Sequence, residues 1–144
     1  MAWICVDLDD TLLDKGMDGE YSQPTDGAVE AMQTLAGEGH RLTVFTARFA
    51  AMPAARKQQL KEEIESVLVE LGFPEMEVWT GSFKPSADIF IDNNAVTYDG
   101  DWGLALAQTQ QMLEDRGMMP GPQPGEAERA QLAEDEEPEP EEAV

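Results

Sequence analysis

Cysteine, imidazole and positive charge are all scarce in this chain. A single cysteine, Cys5, excludes any internal disulfide, so the fold must rest on its apolar core, and a reducing compartment suits it. Nine Lys and Arg stand against 30 Asp and Glu, giving a formal charge of -21. A surface this acidic repels phosphate backbones and anionic lipid, so nucleic acid is an unlikely partner and a membrane surface a poor one. No apolar run approaches the roughly 20 residues of a membrane helix. The apolar start from Ala2 to Val6 lacks a basic region before it and runs straight into Asp7, which is not the pattern of a secretory leader. The expectation is a soluble, cytoplasmic protein. No internal repeat is visible.

What is present is uneven. The stretch Met119 to Val144 holds nine acids and one base, Arg129, together with five prolines and almost no large apolar side chains. Such a segment cannot bury enough surface to offset its ordering entropy, and it reads as a disordered acidic tail with room for a short helix near Glu126 to Glu134. The division expected is a single folded domain over residues 1–117 and a tail over 118–144.

Within the first part, strand and helix signals alternate. Trp3 to Val6 is a short apolar run ending in acids, and Asp10 to Gln23 is rich in Gly and Asp, as a loop or small hairpin would be. Thr25 or Asp26 can cap a helix with Ala28, Val29, Met32, Leu35 and Ala36 on one face, stopped by Gly37 and Gly39. Leu42 to Thr46 is a β-branched strand. Pro53 can open a second helix, with Leu60, Ile64, Val67, Leu68 and Leu71 at helical spacing, closed by Gly72 and Pro74. Met76 to Thr80 and Ile89 to Ile91 read as two more strands, and Trp102 to Leu113 as a last helix packing on the sheet. Apolar strands alternating with helices predict an α/β fold: an open, mostly parallel sheet with helices on both faces. Ligands of such sheets bind beyond the carboxyl ends of the strands. Asp7 and Asp9, Thr46, and Asp92 all follow strands, and Lys84 lies just before the last one.

The order and spacing of these residues resemble those of the haloacid dehalogenase superfamily. Val6-Asp7-Leu8-Asp9-Asp10-Thr11-Leu12 looks like its first motif, an apolar residue followed by Asp-x-Asp-x-Thr. Val44-Phe45-Thr46 resembles the second, Lys84 the third, and Ile89-Phe90-Ile91-Asp92-Asn93 the fourth. Thr46-Ala47-Arg48 and the run Lys84 to Asp92 are similar to small phage and bacterial members, some linked to capsular polysaccharide synthesis and others like the phosphatase half of polynucleotide kinases. A lone Asp-x-Asp is weak; four motifs in order across Ile4 to Trp102 are not. The resemblance implies a Rossmannoid phosphatase that uses Mg²⁺. Asp7 would be the nucleophile and also a metal ligand. Asp9 would be the proton donor and base, its backbone carbonyl also binding the metal. Thr46 and Lys84 would be phosphoryl contacts, Lys84 also orienting Asp7, and Asp92 and Asn93 would stand at the metal. Arg48 is a candidate substrate contact. Both intervals where relatives insert a cap are filled by the elements above, so no cap domain is expected, and an open site would take a small phosphomonoester such as a nucleotide or sugar phosphate.

The chemistry is self-consistent. A carboxylate that attacks phosphorus splits a hard hydrolysis into two steps, and a hard cation lets the two anions meet. Two features depart from the pattern: Asn93 stands where a second acid is usual, and Ser82-Phe83 looks like a short insertion before Lys84. The first, together with the acidic tail, motivates the alternative of a catalytically weak, binding or regulatory protein on the same fold. Singly, each residue has a plainer reading: an acidic turn, a strand-ending Thr, a surface Lys. His40 is read as structural, and Trp79, Phe83 and Trp102 as core or lid aromatics.

Overall fold

A computed structural model describes residues 1–15 and 21–118 of the chain. It divides into two compact units, residues 1–95 and 96–144. The acidic tail beyond Met118 lies outside the described residues.

The first unit is built on a parallel sheet. Strand β1 (Trp3–Asp7) pairs on one side with β4 (Arg41–Phe45) and on the other with β6 (Ile89–Ile91); β5 (Glu77–Val78) adds to β4, giving the order β5-β4-β1-β6. A separate antiparallel ribbon joins β2 (Leu13–Lys15) to β3 (Tyr21–Pro24), the small hairpin expected after the acidic turn. Helix α1 (Ala28–Gly37) precedes β4, and α2 (Ala54–Glu70) precedes β5.

Register decides which side chains share a face. Ile4 lies opposite Leu42, and Val6 opposite Val44, which in turn faces Val78. Strand side chains alternate, so these five project from one face of the sheet. Ala28 and Met32 of α1, and Ile64 and Leu68 of α2, join them in one buried cluster completed by Phe73 and Met76. Both helices therefore cover the same face. Helices on both faces were expected, with residues 102–113 as a last helix packing on the sheet; those residues belong to the other unit. The opposite face of β1 and β4 carries Cys5 and Thr43, both buried, and the Trp3 indole donates to Thr43 Oγ1 at 2.9 Å. Burial pushes the Cys5 thiol up, which leaves it a weak nucleophile.

Local chemistry differs from expectation in three places. Helix α1 is not capped by Thr25 or Asp26: Gly27 holds the N-cap with φ +80°, a backbone that glycine adopts freely. Thr25 is engaged elsewhere, donating to the Thr11 carbonyl at 2.6 Å. The strand expected over Met76 to Thr80 shortens to two residues, and β6 is an edge strand whose Ile89, Phe90 and Ile91 are exposed. His40 is structural as read, its Nδ1 accepting from the Ala2 amide at 3.0 Å.

In the second unit, α3 (Trp102–Asp115) forms where expected, with Asp101 Oδ1 accepting from the Leu104 amide at 3.1 Å as its N-cap. Tyr98 and Trp102 stack with centroids 4.8 Å apart.

Ile64 and Leu68 are shielded from water, and each buried side chain of this size contributes about 1.5–3 kcal/mol. Ile64→Ala should lower the unfolding free energy by about 2–5 kcal/mol in urea titrations. Val69→Ala, at an exposed position of the same helix, should change it by less than about 0.5 kcal/mol.

Candidate active site

The order β5-β4-β1-β6 places β1 where the chain's progress across the sheet reverses: β4 lies on one side of it and β6 on the other. Crevices open at such switch points beyond the carboxyl ends of the strands. Asp7 ends β1 there, Thr46 follows β4 and Asp92 follows β6, and Asp7 lies opposite Phe45 while Val6 lies opposite Ile91. Three chain segments far apart in sequence thus meet at one edge.

The turn that carries Asp9 is held from inside. Leu8 is wholly buried between Asp7 and Asp9, and its carbonyl accepts from the amides of Leu12 at 3.1 Å and Leu13 at 3.0 Å. Leu12 and Leu13 are buried as well. Asp10 takes the left-handed conformation at φ 59°, tolerable for aspartate, while its Oδ1 accepts from the Lys15 amide at 3.0 Å. Thr11 is a residue to which sequence reasoning assigned no task. Its hydroxyl lies 3.3 Å from Asp7 Oδ2 and 3.1 Å from Asn93 Oδ1, and it accepts from the Asn93 amide at 3.2 Å. The spacing from Asp7 to Thr11 in the first motif was the available signal. Asp92 Oδ1 accepts from the Asn94 amide at 2.8 Å, which orients that carboxylate in its turn.

Arg48 is not open to solvent in the way a simple substrate contact would be. Its Nε donates to Asp9 Oδ2 at 2.9 Å and its Nη2 to Asp9 Oδ1 at 2.6 Å, a forked pair that takes both oxygens of the carboxylate. Thr46 caps the short turn Ala47–Phe49 by accepting from the Arg48 amide at 3.2 Å, which leaves its hydroxyl proton for a ligand.

Lys84 departs from expectation. Its ammonium sits over the Phe90 ring, 4.4 Å from the centroid, rather than at Asp7. The preceding loop sets this position: the Trp79 indole donates to the Phe83 carbonyl at 2.9 Å and meets the Phe83 ring edge-on. A Cβ at Gly81 would come within 2.9 Å of the same indole, so the loop closes on Trp79 only with glycine there. Ser82 and Phe83 thus belong to a bend wrapped on Trp79 that carries the lysine away from Asp7.

Burial and neighbouring carboxylates act on Asp7. Burial raises its pKa most, Asp92 and Asp9 raise it further, and Thr11 and the Leu8 amide only partly offset them, leaving it at about 6. The donors at this edge are oxygens alone: the carboxylates of Asp7 and Asp92, the amide of Asn93 and nearby carbonyls. Such a set suits a hard divalent ion that keeps several waters, not a thiolate- or imidazole-seeking metal. Among the described residues, no group of three His, Cys, Asp or Glu is assembled to hold a metal by itself.

Comparison with known proteins speaks to the fold. The chain is an α/β protein with a four-stranded parallel sheet and flanking helices. It is similar to a solved structure of a conserved protein coded by a locus from Bacteroides thetaiotaomicron, with 24% identity, a TM-score of 0.51, and 77% of this chain and 91% of that chain covered. No protein-family model matches the chain, and no curated protein matches it. No helix among the described residues is long and apolar enough to cross a membrane.

The state of Asp7 makes a stability prediction. Its folded pKa is raised from 3.8, so its ionisation weakens the folded state progressively as pH rises from about 4 to about 6, and fully above that. Asp7→Asn should therefore stabilise the protein at pH 7 by about 1–2 kcal/mol, a figure discounted for the group's partial exposure. The gain should shrink as pH falls and vanish by about pH 3, where Asp7 is protonated in both states. Thermal melts of both proteins across this range check it.

Proposed function

We propose that the chain is a Mg²⁺-dependent phosphohydrolase of the haloacid dehalogenase type, without a cap, cleaving a small phosphomonoester such as a nucleotide or sugar phosphate in the cytoplasm. The observation that carries this reading is the meeting of Asp7, Thr46 and Asp92 at the carboxyl ends of three adjacent parallel strands, with Asp9 on the turn between. The chain between Leu12 and Thr46, and between Thr46 and Lys84, is taken up by the hairpin, helices and strands of the core, which supports the absence of a cap. The surplus of acid over base supports a small anion brought in with a metal over a polynucleotide partner.

In this reading Asp7 attacks phosphorus, and the bond to the leaving oxygen breaks as Asp9 delivers a proton to it. The aspartyl-phosphate is then opened by water that Asp9 deprotonates, returning Asp7 and releasing phosphate. Asp9 cannot give up a proton while Arg48 forks across both its oxygens, so the guanidinium must turn to the incoming phosphate, which offers the same bidentate geometry. Thr46 donates its hydroxyl to a phosphoryl oxygen. Lys84 balances phosphate charge once it leaves Phe90, and Thr11 holds Asp7 and Asn93 in mutual register. Asp7, Asp92 and Asn93, with the Asp9 carbonyl, are the residues that would hold Mg²⁺; when bound it supplies the positive charge that lets a carboxylate approach a phosphate.

Two observations favour a second reading, a binding or regulatory protein on this fold. Lys84 does not stand at Asp7, and Arg48 closes Asp9. Phosphate release from p-nitrophenyl phosphate with Mg²⁺ separates the two: turnover supports the enzyme, and its absence the binder. Given turnover, Asp7→Asn should abolish it. Asp9→Asn should slow it about 10²–10⁴-fold, more for poor leaving groups than good ones. If Asp7→Asn works at the parent rate, the assigned chemistry is wrong.

Position 93 has its own test. Asn93→Asp adds a charged oxygen donor and should lower the Mg²⁺ concentration for half-maximal activity. An unchanged magnesium titration would show that this side chain serves only its Thr11 contacts.

A further inference from the structure

A groove of about 320 Å³ includes Thr46 in its lining, and none of Asp7, Asp9 and Asp92. Phe45, Phe49 and Phe83 give it apolar walls, and Gly81 and Ser82 also line it. Two of its eleven lining residues are lysines, Lys57 and Lys84, and none is acidic. In a chain with 30 acids and nine bases that composition is inverted. Three cations elsewhere serve carboxylates: Arg41 holds Glu77, Arg48 holds Asp9 and Lys61 holds Glu65. Lys57, half-buried in the first turn of α2, has no ion-pair partner among the described residues, and the Lys84 ammonium rests on an aromatic ring. A partly desolvated ammonium without an anion among the described residues is unfavourable, and a bound anionic ligand would relieve that cost.

We propose that this groove receives the leaving group of the substrate, and that Lys57 selects leaving groups carrying a second negative charge on a flat apolar body. The proposal rests on the phosphohydrolase reading. Thr46 is the shared point: it follows β4 at the sheet edge that Asp7 ends, and it also lines the groove together with Phe45 and Phe49. The volume suits a single ring and its substituent, not an extended chain. Lys57 is thus a specificity residue, remote from the reacting atoms. The substrate class is an organic phosphomonoester with a carboxylate, or a second phosphate, on its leaving group.

The test uses paired ligands that differ by one charge. Phenylphosphonate and (4-carboxyphenyl)phosphonate, neither of which can be hydrolysed, are titrated calorimetrically with Mg²⁺ onto the full chain and onto Lys57→Gln and Lys57→Arg. The carboxylated ligand should bind the parent about tenfold more tightly than the plain one. Lys57→Gln should erase that preference and leave phenylphosphonate affinity unchanged, and Lys57→Arg should keep most of it. With phenyl phosphate and 4-carboxyphenyl phosphate as substrates, the same change should appear in KM and not in kcat. Equal affinity of the two phosphonates for the parent, or a preference that survives Lys57→Gln, overturns the proposal. Failure to hydrolyse either phosphate, with the phosphonate preference intact, would instead refute the phosphohydrolase reading and leave the groove an anion site.

Discussion

Leu8 is the constraint on which the candidate site depends. It is fully buried, and the pleat of the chain throws its two neighbours, Asp7 and Asp9, the other way. Its carbonyl gathers the amides of Leu12 and Leu13, whose side chains are buried beside it. An acidic turn would otherwise spread to separate its charges. Here three leucines hold it closed, with a burial free energy of about 1.5–3 kcal/mol each set against the repulsion. The hairpin and helix α1 follow from this turn, because Thr25 ties back to the Thr11 carbonyl.

Charge is the second organising force. At the sheet edge, Asp7, Asp9 and Asp92 crowd together, and the raised pKa of Asp7 registers the cost. Arg48 relieves it at Asp9 and Thr11 eases it at Asp7. Lys57 and Lys84, without an ion-pair partner among the described residues, line the neighbouring groove instead. The edge is therefore divided, with a cation-seeking side and an anion-seeking side joined at Thr46. That division is what a substrate bearing phosphate at one end and another anion at the other would meet.

The parallel α/β architecture and the residues of the sheet edge were legible in the sequence because they rest on short-range periodicity. Alternating apolar runs place Asp7, Thr46 and Asp92 after strands, and spacing at three and four residues marks the faces of α1 and α2 that are in fact buried. Thr11 was readable as a motif residue, but its contact with Asn93, 82 positions later, was not.

What only the tertiary structure decided concerns partners rather than elements. A sequence states that Arg48 and Asp9 exist, and nothing local requires a forked pair between residues on different strands' ends. Lys84 matched its motif by order, yet an indole 5 positions earlier and a glycine between them bend its loop towards Phe90. The cap of α1 passed to Gly27 because Thr25 was needed at the turn. Periodicity is a property of neighbouring residues and survives in one dimension; the pairing of charges, the pKa of Asp7 and the lining of a groove arise from atoms brought together across the chain, and only packing determines them.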